Sequence, residues 1–420
     1  MSVIVALIAV YFAFRAYNTT AKLEHDWSTY YLSSLDARTG ENPYRDRTVQ
    51  SPFIYPPMLL WLVTPLTYMD PQVGAIFWAW LTMFAWVAVV WLTNDALQRL
   101  WPPAKGENRA WLLWVPTLLA FRPIWRELGI GQVNLIVLSL VTAAFWSLVR
   151  RRDGTAGALI ALAADIKILP ITFLLPLAMW KRWRALGVAL VMLPGWLLLP
   201  ALTYGPSRYA EICSGFLHGR LFTHAVSLAM DNHSANQSLP ATVNRFLSAE
   251  NGLPPQHKLA NLHVNVASLP LQDIAVVLAL IGLVLAAATA FALWRSRSRP
   301  ELAGAGFALV WLTTHLMSKK TWEEHLVTLL FVYTALLYGS PAYRKAGTSV
   351  VVVAAALNWF YTPLLWGRPM ADVVQAYGPT TLALLVLWAH LFRRLSVAEP
   401  QPATAAALET DRAEPEPSLA

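Results

Sequence analysis

An aspartate among aromatic residues is the first place in this chain where chemistry could sit. His25-Asp26-Trp27 is followed by Tyr30 and Tyr31. Partial desolvation disfavours the charged form of a carboxylate and so suits it to accept a proton, as a general base must. From residue type alone the plainer reading, a helix cap or a solvated loop acid, has the stronger prior. Further along, Arg122, Arg126 and Glu127 lead into Gly129-Ile130-Gly131-Gln132-Val133-Asn134. The glycines permit a sharp re-entry into an apolar run, with Gln132 and Asn134 at its top. Those two side chains either bind a sugar or phosphate, or cap the helix and bond to neighbouring helices. Lys167 lies within the otherwise apolar Ala161–Leu175 run. A lysine there is costly and is therefore functional or paired. Asp165 is the candidate partner, and phosphate binding is the alternative. Lys319-Lys320-Thr321-Trp322-Glu323-Glu324-His325 brings cations, an indole and an imidazole together. This set suits a lipid-linked phosphate, the bland alternative being a polar turn at the headgroups. Glu323, Glu324 and His325 make a poor metal site, because adjacent residues on a helix point in different directions. Asn236-Gln237-Ser238-Leu239 precedes an amphipathic stretch through Phe246, and taken alone is a weak signal. Asn232 and Asn236 match glycosylation sequons, a pattern common by chance.

The elements that must hold these residues are set by composition. The 420 residues are 56% hydrophobic and 13% charged, far below the charge of a soluble domain. Twenty Trp and fourteen Tyr fit anchoring at both membrane interfaces. The net charge of +8 comes from clusters set between apolar runs, so nucleic acid is not an expected partner. A single cysteine, Cys213, rules out an internal disulfide and reads as a packing residue. The first apolar run, Ser2–Tyr17, lacks the basic flank and cleavage site of a signal peptide and reads as an uncleaved first span.

Further apolar runs fall at roughly 72–97, 110–121, 131–149, 154–166, 168–180, 185–203, 272–294, 302–317, 325–339, 348–365 and 376–392. Several are short of a full crossing, and Pro170, Pro176, Pro194 and Pro200 interrupt them, so tilted or broken helices are expected. The basic clusters are Arg150-Arg151-Arg152, Lys181-Arg182 with Arg184, Arg295/Arg297/Arg299, Arg344-Lys345 and Arg393-Arg394. All fall on one side if each run crosses once, giving about 12 spans with both termini cytoplasmic. Counting 56–69 as a crossing would invert every later loop, so this segment reads as re-entrant or juxtamembrane. The expectation is an all-α polytopic membrane protein with one transmembrane domain over 1–395 and a disordered cytoplasmic tail over 396–420. Its long extracytoplasmic loops fall at about 18–55 and 204–270. No dinucleotide fingerprint, P-loop, metalloprotease or serine-elbow pattern occurs, and no soluble nucleotide-binding domain is present. No cofactor or metal is therefore called for, and an enzyme built this way needs a membrane-borne donor.

Taken in order, these residues resemble a known family. Asp26 with Tyr30-Tyr31, Asn42-Pro43-Tyr44 and Phe53-x-Tyr55-Pro56-Pro57 are similar to the first outer loop of glycosyltransferase family 87, bacterial polyprenyl-phosphate-mannose-dependent mannosyltransferases of the GT-C superfamily. The likeness continues through Gly131-Gln132-x-Asn134, Ala163-Ala164-x-Ile166-Lys167-x-x-Pro170, Asn236-Gln237-Ser238 and Trp322-x-x-His325. It implies a GT-C fold in a bacterial plasma membrane. It also implies mannose transfer from a polyprenyl phosphate to a lipid-anchored glycan on the outer face, with α-(1→2) products. Asp26 takes the role of base. Tyr55, Arg126, Gln132, Asn134, Lys167, Asn236, Gln237, Lys320, Trp322 and His325 are the expected substrate-binding set. The sequence departs from the family pattern twice: Glu324 stands where paired histidines often begin, and Ile168 where a proline often follows the lysine. An arabinose donor fits the same residues, and a lipid-glycan flippase is the alternative of a different class. A flippase needs a polar path through the bilayer, whereas the polar residues here gather on the outer side.

Overall fold

The computed structural model describes residues 2–20, 25–46, 52–223, 231–250, 252–253, 257 and 263–397. The tail expected over 396–420 thus lies almost wholly outside the described residues, as do parts of both long outer loops. Among the described residues helices are the only regular secondary structure. The first eight are α1 (Ser2–Thr20), α2 (Asp26–Thr39), α3 (Pro57–Val63), α4 (Pro71–Leu100), α5 (Val115–Leu119), α6 (Phe121–Ile130), α7 (Asn134–Val149) and α8 (Asp153–Ile166).

Among the described residues three helical stretches are long and apolar enough to cross a membrane: Pro71–Leu100, Trp183–Tyr204 and Leu271–Arg295. A fourth span is formed if Arg368–Ala376 and Pro379–Ser396, which meet at a 45° bend, are taken together. Phe84, Val191 and Leu283 on the first three are 67–73% exposed. Apolar residues this open on helices this long face hydrocarbon, not water. The chain is therefore a multi-pass membrane protein. Most other apolar runs form shorter helices. The 110–121 run, expected as one crossing, divides into a 3₁₀ turn at Ala110–Leu113, α5 and the start of α6. The 168–180 run likewise becomes a 3₁₀ turn at Leu169–Phe173 and a short helix at Leu174–Met179. Pro170 stands in the first turn of that 3₁₀ element, where its missing N–H costs least. The 56–69 segment forms α3 and a 3₁₀ turn at Thr64–Tyr68, with Met58, Leu59, Leu60 and Val63 buried. At this length it does not span a bilayer, which needs about 20 residues.

An antiparallel hairpin of α7 and α8 runs through the centre. Against it lies the Trp183–Leu198 helix, held so close that a Cβ on Gly157 would sit 2.2 Å from the Ala185 carbonyl oxygen. Only glycine fits there. Phe145, Phe173, Phe307 and Phe331, all at most 1% exposed, pack ring against ring between the two ends of the hairpin. This aromatic layer separates two polar ends.

At one end the basic clusters meet. Arg150 bonds to Asp95 at 3.0 Å, and Arg182 pairs with Asp153 and with the Leu148 carbonyl. Arg344 and Arg109 share Glu107. Trp101 donates to the Glu301 carbonyl, and Arg394 donates to that of Tyr338. The other end of the hairpin, about 24 Å away by helix rise, starts at Asn134 and finishes at Lys167.

Candidate active site

Helix α2 begins at Asp26 and ends on Gly40, whose φ of +94° is the left-handed conformation of a glycine C-terminal stop. A carboxylate in the first turn also complements the positive end of the helix dipole. Trp27, Tyr30, Tyr31 and Ser34 follow the i, i+3, i+4, i+7 spacing and are all buried, which fixes the rotation of the helix. Tyr30 packs edge-on against Tyr55 at 5.2 Å, and Trp27 lies 5.6 Å from Trp78. Asp26 is left partly open at the edge of this aromatic floor.

Beneath it runs the turn from α6 into α7. Gly131 has φ +71°, and a Cβ there would stand 2.8 Å from the Cβ of Trp27. A larger residue would push α2 away. The next residue, Gln132, is 4% exposed. Its Oε1 accepts from Tyr30 Oη at 2.7 Å, Tyr55 Oη at 3.1 Å and the Val133 amide at 3.1 Å. With the oxygen taken by three donors, the amide N–H₂ faces Asp26 and donates to it. Two residues on, Asn134 has the opposite orientation. Its Nδ2 donates to Glu127 Oε2 at 2.8 Å and to the Glu324 carbonyl at 3.3 Å. Its Oδ1 receives Lys167 Nζ at 2.5 Å. Glu127, fully buried, also accepts the Leu135 amide at 3.0 Å. It thereby satisfies an otherwise orphaned N–H at the start of α7.

The turn after the Ala303–Met317 helix closes the site. Arg122 and Arg126, one turn apart on α6, meet Glu323 and Glu324 at 2.6 and 3.8 Å. Lys167, on leaving α8 with extended backbone (φ −147°, ψ 124°), turns its ammonium toward Asn134 and over the Tyr55 ring at 5.6 Å. Asp165, the partner expected from sequence, is not used. Helix α8 ends between the two residues, and Asp165 is sent toward Tyr209. A small cavity adjoining Lys167 is lined by Asn134, Leu169, Trp311, His315 and His325.

Burial and then the charge of Glu324 push the Asp26 carboxyl up to about 6. The hydrogen bond from Gln132, followed by Lys167 and Arg126, pulls the other way without cancelling the rise. Burial also raises Glu127. Asp26 thus changes charge within the range in which a base is most useful.

Of the residues singled out from sequence, Asp26, Tyr55, Arg126, Gln132, Asn134 and Lys167 belong to one network of hydrogen bonds and charges, and Asn134, Lys167 and His325 line the small cavity beside it. Lys320 and Trp322 sit at its rim, Lys320 paired with Asp231 at 3.0 Å and Trp322 packed on His233 at 5.7 Å. Asn236 and Gln237 do not line that cavity. The Asn236 amide donates to the carbonyls of Asp231 and Lys319 and accepts from Thr321 and Ser238, while Gln237 donates to those of Ser234 and Gln375. These groups bolt the second outer loop to the turn at 318–324, which explains why they look functional in sequence. Arg245 completes the bolt. It is fully buried and donates to the carbonyls of Ala376, His233 and Asn236 and to Thr242 Oγ1. Glu127, the buried anchor of Asn134, carries no pattern that marks it beforehand. Among the described residues no group of three or more His, Cys, Asp or Glu side chains is arranged to hold a metal.

A carboxylate poised near neutrality and a cation held near it thus lie together on a helical membrane scaffold. The model of glycosyltransferase family 87 matches residues 53–318. The chain belongs to that family and is a membrane glycosyltransferase. It is similar to the polyprenol-phosphate-mannose-dependent alpha-(1-2)-phosphatidylinositol pentamannoside mannosyltransferase of Mycobacterium tuberculosis (strain CDC 1551 / Oshkosh), at 25% identity over 81% of this chain and 74% of the relative. The protein of that name from Mycolicibacterium smegmatis is also 25% identical, over 84% of this chain and 82% of the relative. A polyprenol-phosphate-mannose-dependent alpha-(1-2)-phosphatidylinositol mannoside mannosyltransferase of M. tuberculosis (strain ATCC 25618 / H37Rv) is 28% identical over a third of the chain.

Proposed function

We propose that this protein transfers mannose from a polyprenyl-phosphate mannose to a lipid-anchored mannoside of the phosphatidylinositol type, forming an α-(1→2) linkage. The relatives' names supply donor, acceptor class and linkage. The observation that carries the reading is the placement of Asp26 within the influence of Gln132, Lys167 and Glu324. An acceptor hydroxyl attacks the anomeric carbon as the bond from that carbon to the phosphate oxygen breaks. Asp26 takes the hydroxyl proton, the polyprenyl phosphate leaves, and the anomeric configuration inverts. Lys167, with Arg126 and Lys320, offsets the charge that grows on the leaving phosphate, and His325, kept neutral by burial and by Lys167, offers it a hydrogen bond.

The reaction takes place on the extracytoplasmic face of a bacterial plasma membrane. Supporting this side, the arginine clusters gather at the end of the α7–α8 hairpin away from Asp26, and such clusters mark the cytoplasmic side. Helix α1 reaches the site end at Arg15, beside Gly129, and Arg394 lies at the basic end, which supports two cytoplasmic termini. The scaffold is a GT-C fold in which short and broken helices bring the crossings to about 12. The buried phenylalanine layer between the two ends argues against a flippase, which needs a polar path there.

Purified protein in liposomes, given polyprenyl-phosphate mannose and phosphatidylinositol mannosides, is expected to form a mannosylated lipid whose new linkage an α-(1→2)-specific mannosidase removes. Asp26→Asn should lower the rate by roughly 10²- to 10⁴-fold, the usual contribution of a general base. Transfer from an arabinose donor alone, or full activity of Asp26→Asn, would overturn the donor or the base assignment respectively.

A further inference from the structure

The Gly131-Gln132-Val133-Asn134 turn holds two side-chain amides of opposite polarity two residues apart. Each is oriented by at least one backbone partner whose role is fixed, the Val133 N–H for Gln132 and the Glu324 carbonyl for Asn134. Tyr30, Tyr55 and the Val133 amide all donate to the Gln132 oxygen. Glu127 and the Glu324 carbonyl only accept, so the Asn134 nitrogen faces them and its oxygen faces Lys167. A substrate hydroxyl or phosphate would compete with protein groups at each of these atoms.

We infer that Gln132 and Asn134 are positioning residues that act through Asp26 and Lys167, and that buried Glu127 anchors the Asn134 amide on which the Lys167 ammonium rests. This rests on Asp26 as the base. The arrangement gives a different handle on each half of the site. Asp26 is faced by Gln132 from the α6–α7 turn, Arg126 from α6, Glu324 from the turn after the Ala303–Met317 helix and Lys167 after α8, with Tyr30 on its own helix and Tyr55 across from it. Exchanging the Gln132 N–H₂ for an oxygen replaces a donor to the carboxylate with an acceptor and leaves the tyrosine contacts available. On the other half, Glu127 receives Asn134 on Oε2 and the Leu135 amide on Oε1. Asn134→Asp alone sets two carboxylates face to face. Adding Glu127→Gln restores a donor between them.

The test measures pH profiles of kcat/KM and separate KM values for donor and acceptor in liposomes. Asp26→Asn is run in parallel, and thermal unfolding confirms that each variant is folded. Gln132→Glu is expected to move the acid limb upward by at least one pH unit, with both KM values within about threefold of wild type. Asn134→Asp is expected to lose at least tenfold in kcat, and Asn134→Asp/Glu127→Gln to recover to within about threefold of wild type. An unmoved acid limb with a raised KM, or a double variant no better than the single one, overturns the positioning role and returns these amides to substrate contact. Full activity of Asp26→Asn removes the base itself, and the inference falls with it.

Discussion

The two polar ends of this molecule treat charge in opposite ways. At the basic end, Glu107 lies between Arg109 and Arg344, whose hydrogen bonds hold its carboxyl down to about 2. At the site end, Asp26 is partly buried beside another acid, and its carboxyl rises to about 6. Both are acids near arginines. One has its charge locked by bonded guanidinium groups. The other is held by a neutral amide, with Lys167 and Arg126 contributing less than burial does. A locked charge serves the scaffold, since it stays ionised and bonded over the whole ordinary pH range. A charge left close to its switching point serves proton transfer.

The largest test of this contrast is the loss of roughly two to four powers of ten in rate expected of Asp26→Asn. Next comes the frame that holds the site end. Arg245→Ala strips the partner from three buried carbonyls and should cost about 3 kcal/mol, read as a lowered unfolding midpoint in detergent. Gly131→Ala forces a Cβ against Trp27 at a positive φ and should cut turnover by about tenfold or more, with the fold retained. The pH response separates the ends without mutation. Asp26 must be deprotonated to act, so kcat/KM should fall as pH drops through about 6. Glu107 has a depressed folded pKa. Its stabilising contribution is present above its ordinary value of 4.5 and disappears only as pH falls toward about 2. Between pH 6.5 and about 5, transfer should therefore fade reversibly while the contribution of Glu107 to stability stays in place. The smallest effect is expected of Glu107→Gln, which should leave the pH profile of transfer unchanged. A shifted acid limb in that variant would show that the two ends are electrically joined.

Much of this was legible in the residues. The set of Asp26, Gln132, Asn134, Lys167 and His325 is discontinuous in sequence, yet each stood out as a polar group at the edge of an apolar run, and they come together at one end of the α7–α8 hairpin. Type and position reveal that a side chain is out of place in hydrocarbon. They do not reveal its partner. Lys167 seemed matched to Asp165, but the helix end between them sends the two apart. Asn236 and Gln237 looked like ligand contacts because they are polar and follow a loop, yet their amides close the scaffold. Glu127 was hidden because its importance lies in being buried against the first turn of another helix. The number of crossings was the least legible feature. Proline and 3₁₀ turns divide apolar runs such as 110–121 and 168–180 at points that hydropathy alone does not mark.

The hydrogen bonds that complete the site join residues far apart in the chain: Tyr55 to Gln132 across 77 positions, Tyr30 to Gln132 across 102, and Arg122 to Glu323 across 201. During synthesis, therefore, the aspartate emerges long before the amide that aims it, and the amide long before the turn that clamps it. A ribosome adding about 5–20 residues per second leaves these groups unmatched for many seconds. A truncated chain carries the base and no working centre, so catalysis begins only when translation is nearly complete.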